Sequence, residues 1–234
     1  MLLSIWARWV LTTALAGQPY PASLLDQLNV LLQQHSEQPQ DPRVLCDLAS
    51  VYLDLGSDYF TDKELQLGAF DEGRRNAEQA FGIDGNNADA HFYYAANLGQ
   101  AAHLRNVLFS ALQIRDIKKH VERALELRPY HARTVHFLGK LLEELPWILG
   151  GDKERALMLL QRAVVLDPSH SEAHLHLAQA YLRRQLLSEA KEELLRILSL
   201  DVRLNNYAWE KRHQPQATHL LQRHFPEVFT KAAN

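Results

Sequence analysis

Histidine can act as an acid, a base or a metal ligand, and the chain contains 12 histidines. His174 and His176 are two residues apart on a predicted helix, so their side chains point away from each other. His131 and His136 are five residues apart and also diverge, and no H-E-x-x-H or comparable metal-binding spacing is present. The pattern favours surface or packed histidines, and we predict no metal site and no cofactor.

The other residues with reactive groups fit structural roles better than catalytic ones. The single cysteine, Cys46, falls inside a predicted packed helix, and the chain has no G-x-S-x-G nucleophile motif. Gly150 and Gly151 lack the preceding strand and the following Lys-Ser/Thr that a phosphate-binding loop requires. We expect them to form a turn, with Asp152 as the N-cap of a helix over residues 153–166. The chain is predicted not to be an enzyme.

The composition is that of a globular protein and excludes several classes of partner. The chain has 234 residues, of which 47% are hydrophobic and 23% charged, enough for one large domain or two small ones. A net charge of -3 provides no basic surface for nucleic acid. One cysteine permits no internal disulfide. No apolar run reaches the roughly 18–20 residues that a transmembrane span requires.

The spacing of small and apolar residues predicts that helical hairpins carry the histidines and the other candidate side chains. Residues 132–201 contain two copies of one hairpin, in which small residues recur where two helices approach and large apolar residues surround them. This pattern resembles the tetratricopeptide repeat (TPR), a helix-turn-helix unit with a period of about 34 residues. In the last copy the pattern residues are Leu177, Ala178 and Tyr181 on the first helix (helix A), then Ala190, Leu194 and Ile197 on the second (helix B).

The spacing of the repeats predicts insertions. The close-packing residues of the successive A helices are Ala49, Ala95, Gly139 and Ala178, which are 46, 44 and 39 residues apart. These separations exceed the repeat period of about 34, and the excess falls between helices A and B. We therefore expect inserted segments, including 57–70 and 100–110, that emerge on one edge of the stack and shorten along the chain.

The predicted fold is all-α: a right-handed α-solenoid of about four TPR-like hairpins with enlarged A–B insertions and helical caps. Residues 1–16 fit a short secretory signal peptide ending in A-x-A, and the alternative is an ordinary N-terminal helix packed on the solenoid. Residues 17–40 are assigned to an N-terminal capping helix and residues 41–202 to the repeat array. Residues 203–234 form a C-terminal cap and tail.

Two residues mark the expected starts of the capping helices. Ser23 is a plausible N-cap because it precedes leucines at helical spacing. Pro215 can open the C-terminal helix, whose apolar face is Ala217, Leu220 and Leu221.

The TPR resemblance implies a binding groove lined by fixed positions of helix A. Carried over to this sequence, the groove positions are Arg133, His136, Lys140, Glu143, Glu172, Leu175, Gln179 and Arg183, with Phe92, Ala96 and Gln100 in the preceding repeat.

Four of these residues suggest what the groove binds. Arg133, His136 and Lys140 are three and four residues apart and share one face of a helix. With Arg183 from the next A helix they form a predicted cationic or pH-sensitive strip, suited to a carboxylate-bearing peptide or an acidic patch on a partner.

The alternative interpretation is a solvated face on which these cations are paired within the chain. Glu143, Glu144 and Glu172 are the predicted pairing partners, and the first two are expected on a solvated edge.

Three consecutive aromatic residues, Phe92, Tyr93 and Tyr94, cannot all lie in the core of one helical hairpin. Core packing is the favoured interpretation for most of the set. We include Phe92 and Tyr94 among the tentative binding residues, because one or two of the rings can face the groove or the inserted segment.

A narrower resemblance rests on residues 145–152, LPWILGGD, within divergent repeats with enlarged hairpins. The segment is similar to the periplasmic T component associated with bacterial TRAP transporters, a family whose members are usually lipoproteins that bind a solute-binding protein. The resemblance implies a periplasmic accessory protein of solute transport. The residue directly after the apolar segment 1–16 is Gly17 rather than a cysteine, and this does not fit lipid anchoring.

We therefore predict a non-enzymatic scaffold or adaptor for protein–protein interaction, with a protein or peptide as partner, such as a solute-binding protein. The alternative is a carrier of a small apolar ligand in a cavity between the aromatic helix and the inserted segments. A charged groove favours the adaptor, and an aromatic groove favours the carrier. The predicted location is periplasmic or secreted if residues 1–16 are a signal peptide, and cytoplasmic otherwise.

Overall fold

The computed structural model of the chain describes residues 19–105, 107–201, 203 and 205–230. These residues form helices and short turns, and no β-strand occurs among them. The predicted signal segment, residues 1–16, lies outside the described residues. Within the described part, no helix combines the length and the apolar character needed to cross a bilayer. The chain divides into two compact units, Met1–Arg128 and Pro129–Asn234.

The first unit is a succession of antiparallel helices, each packed against the next. Helix α2 (Pro42–Asp54) also contacts α4 (Ala88–Arg105), as successive A helices of a TPR array do. A π-helical turn at Leu55–Tyr59 extends the end of α2. The helices are α1 (Ser23–Glu37), α2 (Pro42–Asp54), α3 (Lys63–Ile83), α4 (Ala88–Arg105) and α5 (Val107–Leu127).

Aspartate side chains begin two of these helices. Asp41 accepts a hydrogen bond from the Arg43 N–H, and Asp62 accepts from the N–H groups of Glu64 and Leu65. The predicted N-cap role of Ser23 is wrong, because Ser23 is already the first residue of α1 and the preceding Ala22 offers no capping side chain.

The expected inserted segments of the first two hairpins are mostly helical. Helix α3 begins at Lys63 and α4 continues to Arg105, so both helices extend into the segments predicted as insertions at 57–70 and 100–110. The extension satisfies the backbone hydrogen bonds internally. It also buries additional apolar residues in the interface between helices: Ala69, Phe70, Ala101 and Ala102.

The second unit contains the two hairpins with the clearest repeat pattern, followed by a closing helix. The closing helix, α11 (Gln214–His224), packs on α9 (Leu187–Leu198). The elements are α6 (Ala132–Glu144), α7 (Lys153–Leu166), α8 (Ser171–Arg183), α9 (Leu187–Leu198), the single turn α10 (Asn206–Ala208), a π-helical turn (Trp209–His213), α11 (Gln214–His224) and α12 (Glu227–Thr230).

Local sequence signals in this unit are confirmed. Gly150 has a φ of 83°, a left-handed conformation that favours glycine, and ends the turn before α7. Asp152 caps α7 by accepting from the Arg155 N–H, and the helix covers the predicted residues 153–166. Pro215 lies in the first turn of α11.

Small residues at the predicted contact points bring the helices together. Ala178 is fully buried in the core of the second unit. A Cβ atom on Gly139 would lie 3.1 Å from both Leu159 Cβ and Leu160 Cγ. Helices α6 and α8 can therefore approach their neighbours closely, because each has a small residue at the contact point.

A pair of buried histidines occupies the first unit. The Nδ1 atoms of His91 and His120 are 2.9 Å apart, and His91 Nε2 is 3.1 Å from the carbonyl oxygen of Gly85. If Nε2–H donates to Gly85, then His91 Nδ1 accepts and His120 Nδ1–H donates. Phe81 stacks on His91 at a centroid distance of 5.0 Å. The acceptor role of Nδ1 requires His91 to be neutral, whereas His120 can donate from Nδ1 in either protonation state.

Burial lowers the pKa of His91, and burial also lowers the pKa of His120 to about 4. The unfolded chain takes up protons at these sites near pH 6.5, so stability is lost as the pH falls from about 6.5 towards 4. The charged groups that act on the pair are Asp84 and Asp116, which oppose this shift, and Lys119 and Arg123, which reinforce it.

We expect the free energy of unfolding to decrease on acidification, by up to about 1.4 kcal/mol per pH unit for each such histidine. His120→Gln should reduce the slope by about one proton, because it removes one titrating group. Urea titrations at pH 7, 6, 5 and 4.5 measure the slope. Equal slopes for the wild type and the variant would show that His120 does not contribute.

Two glycines of α3 provide a matched test of close packing. A Cβ atom on Gly73 would lie 2.3 Å from Oδ1 of the fully buried Asn97. The Asn97 amide donates to the carbonyls of Ala49 (3.1 Å) and Tyr93 (2.9 Å), so it has little freedom to move. Gly73→Ala should therefore destabilise the fold by about 1–3 kcal/mol.

The control is Gly68→Ala, where the added methyl meets no atom within 4 Å. This change should stabilise the helix by about 0.5–1 kcal/mol, because alanine loses less conformational freedom than glycine. Chemical denaturation of both variants distinguishes the two positions. A Gly73→Ala protein as stable as the wild type would rule out the tight crossing of α3 and α4.

Candidate functional site

The second unit brings together three histidines and a glutamate from different elements. His136 lies on α6, His170 is the residue before α8, and Glu172 and His176 lie on the first turns of α8. Glu172 and His176 are four residues apart and therefore share one face of that helix. Helices α6 and α8 are successive A helices and contact each other. We name these four residues the histidine–glutamate cluster.

The imidazole rings of the cluster contact one another directly. His136 Nε2 and His176 Nδ1 are 2.7 Å apart, and the two rings stack with an interplanar angle of 16°. The rings of His136 and His170 meet edge to face, with centroids 4.7 Å apart. One potential ligand atom from each of His136, His170 and Glu172 lies within 4.8 Å of the other two.

The cluster combines buried rings with a carboxylate that reaches solvent. His136 and His170 are 5% and 6% exposed, respectively. The Glu172 side chain is 41% exposed, and its Oε1 lies 4.0 Å from Lys140 Nζ. Among the described residues, the buried Nδ1 atom of His170 has no hydrogen-bond partner. One buried nitrogen therefore lacks the partner that buried polar groups normally have.

The environment keeps the histidines neutral at neutral pH. Burial lowers the pKa of His136 well below its usual range, and it lowers the pKa values of His170 and His176 to about 4. Burial raises the pKa of Glu172, but the positive charges of His136 and His176 in their protonated forms, and of Lys140, outweigh this effect and lower it. At neutral pH the cluster therefore consists of neutral imidazoles around a carboxylate, and the cationic or pH-sensitive strip that includes His136 stays a prediction.

A second predicted site residue is already paired inside the chain. Arg183 Nε donates to Glu143 Oε1 at 2.9 Å, and Arg184 binds the same carboxylate through both terminal nitrogens at 3.0 and 2.9 Å. The side chain of Glu143 is 3% exposed. The expectation that Glu143 lies on a solvated edge is therefore wrong, whereas Glu144 is exposed.

The aromatic candidates lie in the core of the first unit. Phe92 and Tyr94 are 4% and 8% exposed, and the Tyr94 hydroxyl donates to Asp116 Oδ2 at 2.7 Å. Tyr93 is half-buried. Burial removes Phe92 and Tyr94 from any surface open to a partner.

The remaining candidates lie near the surface of the second unit. Arg133, Lys140 and Gln179 are half-buried. Gln179 lines a shallow depression together with residues of α11, which are Pro215, Gln216, His219 and Leu220. A binding role for Arg133, Lys140, Gln179 and Arg183 stays a prediction.

The juxtaposition of His136, His170 and Glu172 was not predicted, because histidine spacing within one helix says nothing about contacts between helices. A signal was present in the repeat register. His136 lies three residues before Gly139, and His176 lies two residues before Ala178. Both histidines therefore lie within one helical turn of a position where helices pack closely.

The hairpins define a TPR protein, and comparison with known proteins agrees. A tetratricopeptide repeat profile matches residues 150–208, and the profile described as "Regulator of microtubule dynamics protein 1-3" matches residues 20–145. The second match covers more than half of the sequence. The chain belongs to the regulator of microtubule dynamics protein 1-3 family.

The named relatives share only about a quarter of the aligned residues with this chain. Regulator of microtubule dynamics protein 1 of Bos taurus is 27% identical over 180 residues, covering 70% of this chain and 56% of the relative. The protein of the same name from Mus musculus is 25% identical over 186 residues, covering 73% and 61%. The chain thus spans between half and two thirds of the length of these curated relatives.

Solved structures with a similar fold support the fold class. TTC0263, a thermophilic TPR protein of Thermus thermophilus, has a TM-score of 0.60 at 17% identity, covering 82% of this chain and 89% of that one. MamA (41-end) of Desulfovibrio magneticus RS-1 has a TM-score of 0.51 at 18% identity, covering 86% and 93%. The predicted class, an all-α solenoid of TPR-like hairpins, is confirmed.

The Glu143 ion pairs give a test of how the A helices are joined. Glu143→Gln removes a buried charge that two arginines share, so we expect a loss of about 1.5–3 kcal/mol in the free energy of unfolding. The adjacent Glu144→Gln changes an exposed side chain and should stay within about 0.5 kcal/mol. Urea denaturation at pH 7 measures both. Equal stability of the two variants would contradict the structural role of Glu143.

Proposed function

We propose that the chain is a non-enzymatic scaffold that binds a protein partner through the loop between α6 and α7. The observation that supports this proposal is the exposure of three consecutive apolar side chains. Trp147, Ile148 and Leu149 are 85%, 73% and 42% exposed. Burying a side chain of this kind against a partner contributes about 1.5–3 kcal/mol. Tryptophan is also enriched among the residues that dominate binding energy at interfaces.

The backbone of the loop is held in one conformation. Trp147–Leu149 form a short 3-10 helix, and the Gly151 N–H donates to the carbonyl of Pro146 at 3.0 Å. The ammonium group of Lys153 donates to the carbonyl oxygens of Glu143 and Leu145. A binding element that is ordered before the partner arrives loses less conformational entropy on binding.

A Cβ atom on Gly151 would lie 2.0 Å from the Leu145 carbonyl oxygen. Glycine is therefore required where the loop closes on itself. The exposed rings and methyl groups thus stand on a tight turn rather than on a flexible linker.

The relatives suggest which partner to test first. Their names describe regulators of microtubule dynamics, so we propose tubulin, or a protein bound to microtubules, as the partner. The comparisons give no support to an accessory role in solute transport or to a solute-binding protein as partner. The resemblance to the T component, and the location that it implies, stay predictions.

The apolar-ligand carrier is less well supported than the scaffold. Phe92 and Tyr94 are packed in the core, and much of the inserted segments has become helix. The aromatic helix therefore does not present these two rings to a cavity beside the insertions.

The test is co-sedimentation of the full chain with polymerised tubulin. Trp147→Ala combined with Ile148→Ala should weaken binding by at least about tenfold, because two exposed anchors are lost. The fold should be unchanged, since both side chains are exposed. Leu112→Ala is the matched control, because Leu112 is 70% exposed on α5 in the other unit.

The two parts of the proposal can fail separately. Binding that survives the double substitution would place the interface elsewhere on the chain. Absence of the wild-type chain from the microtubule pellet would remove this partner class. In that case, loss of a different purified partner in the same double variant would still support the loop.

A further inference from the structure

The histidine–glutamate cluster has no part in the loop proposed for partner binding. Its donors come from α6, from the turn before α8 and from α8 itself. From this arrangement we propose that the cluster is a binding site for a divalent transition metal ion, with zinc as the preferred ion, and that His136, His170 and Glu172 are its ligands.

The donor set is chemically suited to zinc. Imidazole nitrogens and carboxylate oxygens are common zinc ligands, at bond lengths of about 2.0–2.2 Å. A set of two histidines and one glutamate disfavours calcium and magnesium, which take oxygen ligands. Nickel and cobalt ions bind the same donor types and serve as probes of the site.

The spacing of the donors fits a single ion. At zinc bond lengths, neighbouring ligands of a tetrahedral ion lie about 3.4 Å apart. The three potential ligand atoms already lie within 4.8 Å of one another. Binding would therefore require the ligand atoms to move closer together by at most about 1.4 Å.

A buried nitrogen without a partner is the second, independent observation. His170 is 6% exposed, and in the described part of the chain its Nδ1 atom accepts and donates no hydrogen bond. Leaving such a group unsatisfied is unfavourable, because the buried nitrogen has lost its hydrogen bonds to water. A metal ion bound through His170 Nδ1 would give this nitrogen a partner.

The neighbours of the cluster define the rest of the site. His176 hydrogen bonds to His136 and so limits the orientation of that ring, a role that outer groups often have around metal ligands. Glu172 is 41% exposed, so water can reach a fourth coordination position. Lys140, 4.0 Å from Glu172, opposes a cation at this place.

An ion held in this way would join α6 to the start of α8. The two helices belong to successive hairpins of the second unit, so the ion would act as a link between repeats. Binding to the folded state would raise the stability of the chain in proportion to the logarithm of the metal concentration once that concentration exceeds the Kd.

The experiment is a calorimetric titration of the tag-free full chain with ZnCl2 at pH 7.5, after treatment with a chelator. We expect one ion per chain and a Kd of about 1 µM or tighter. His170→Gln and Glu172→Gln should each weaken binding by at least about tenfold, since even groups behind the ligands contribute that much. His219→Gln is the control, because His219 is an exposed histidine on α11 and belongs to the same unit.

A variant with the opposite expected effect guards against simple unfolding. Lys140→Gln removes a positive charge beside Glu172 and should tighten zinc binding by about two- to fivefold. Circular dichroism of every variant confirms that it is folded.

Three results would overturn the site. They are the absence of saturable binding by zinc, nickel or cobalt, an unchanged Kd in folded His170→Gln and Glu172→Gln, and an equal loss of binding in His219→Gln. Weaker binding by Lys140→Gln would likewise place the ion elsewhere.

Discussion

Close approach between helices at alanine and glycine is the constraint on which the rest of the structure depends. One helical hairpin buries a single face and cannot form a core alone, so each must pack against its neighbours. That packing reaches the density of a protein interior only if the residues at the crossings are small. The fully buried alanines at these crossings include Ala49, Ala80, Ala95, Ala163 and Ala178.

This closeness has a consequence for the polar residues beside the crossings. Side chains that would line an open groove in more widely spaced hairpins become buried between adjacent A helices, and buried polar groups must be paired. Glu143 is paired by two arginines, His136 by His176, and Asn97 by backbone carbonyls of α2 and α4. In the described part of the chain, His170 Nδ1 and Asn97 Oδ1 both depart from this pattern, and His170 differs from Asn97 in lying beside two other potential metal ligands, His136 and Glu172.

The sequence predicted the elements better than it predicted the contacts between them. Asp152 and Pro215 mark helix starts through local chemistry, and the small residues at repeat spacing predicted the hairpins. Contacts such as Glu143–Arg184 and His136–His176 join residues about 40 positions apart, and they depend on the register between hairpins. Local spacing carries no information about that register. For a related reason, the spacing predicted where the extra residues lie but not their structure, since a count of extra residues does not say whether they form loop or helix.

The two family profiles divide the chain at an informative place. One ends at residue 145 and the other begins at residue 150, so Trp147, Ile148 and Leu149 lie between them. The profiles therefore describe the repeats on either side and leave out this run of three exposed apolar residues. Scaffolds that share a fold differ in function through the loops they carry. The turn at Gly150 and Gly151 holds the backbone of this run in one conformation, so a partner that bound the loop would be selected by the chemistry of the loop rather than by the fold.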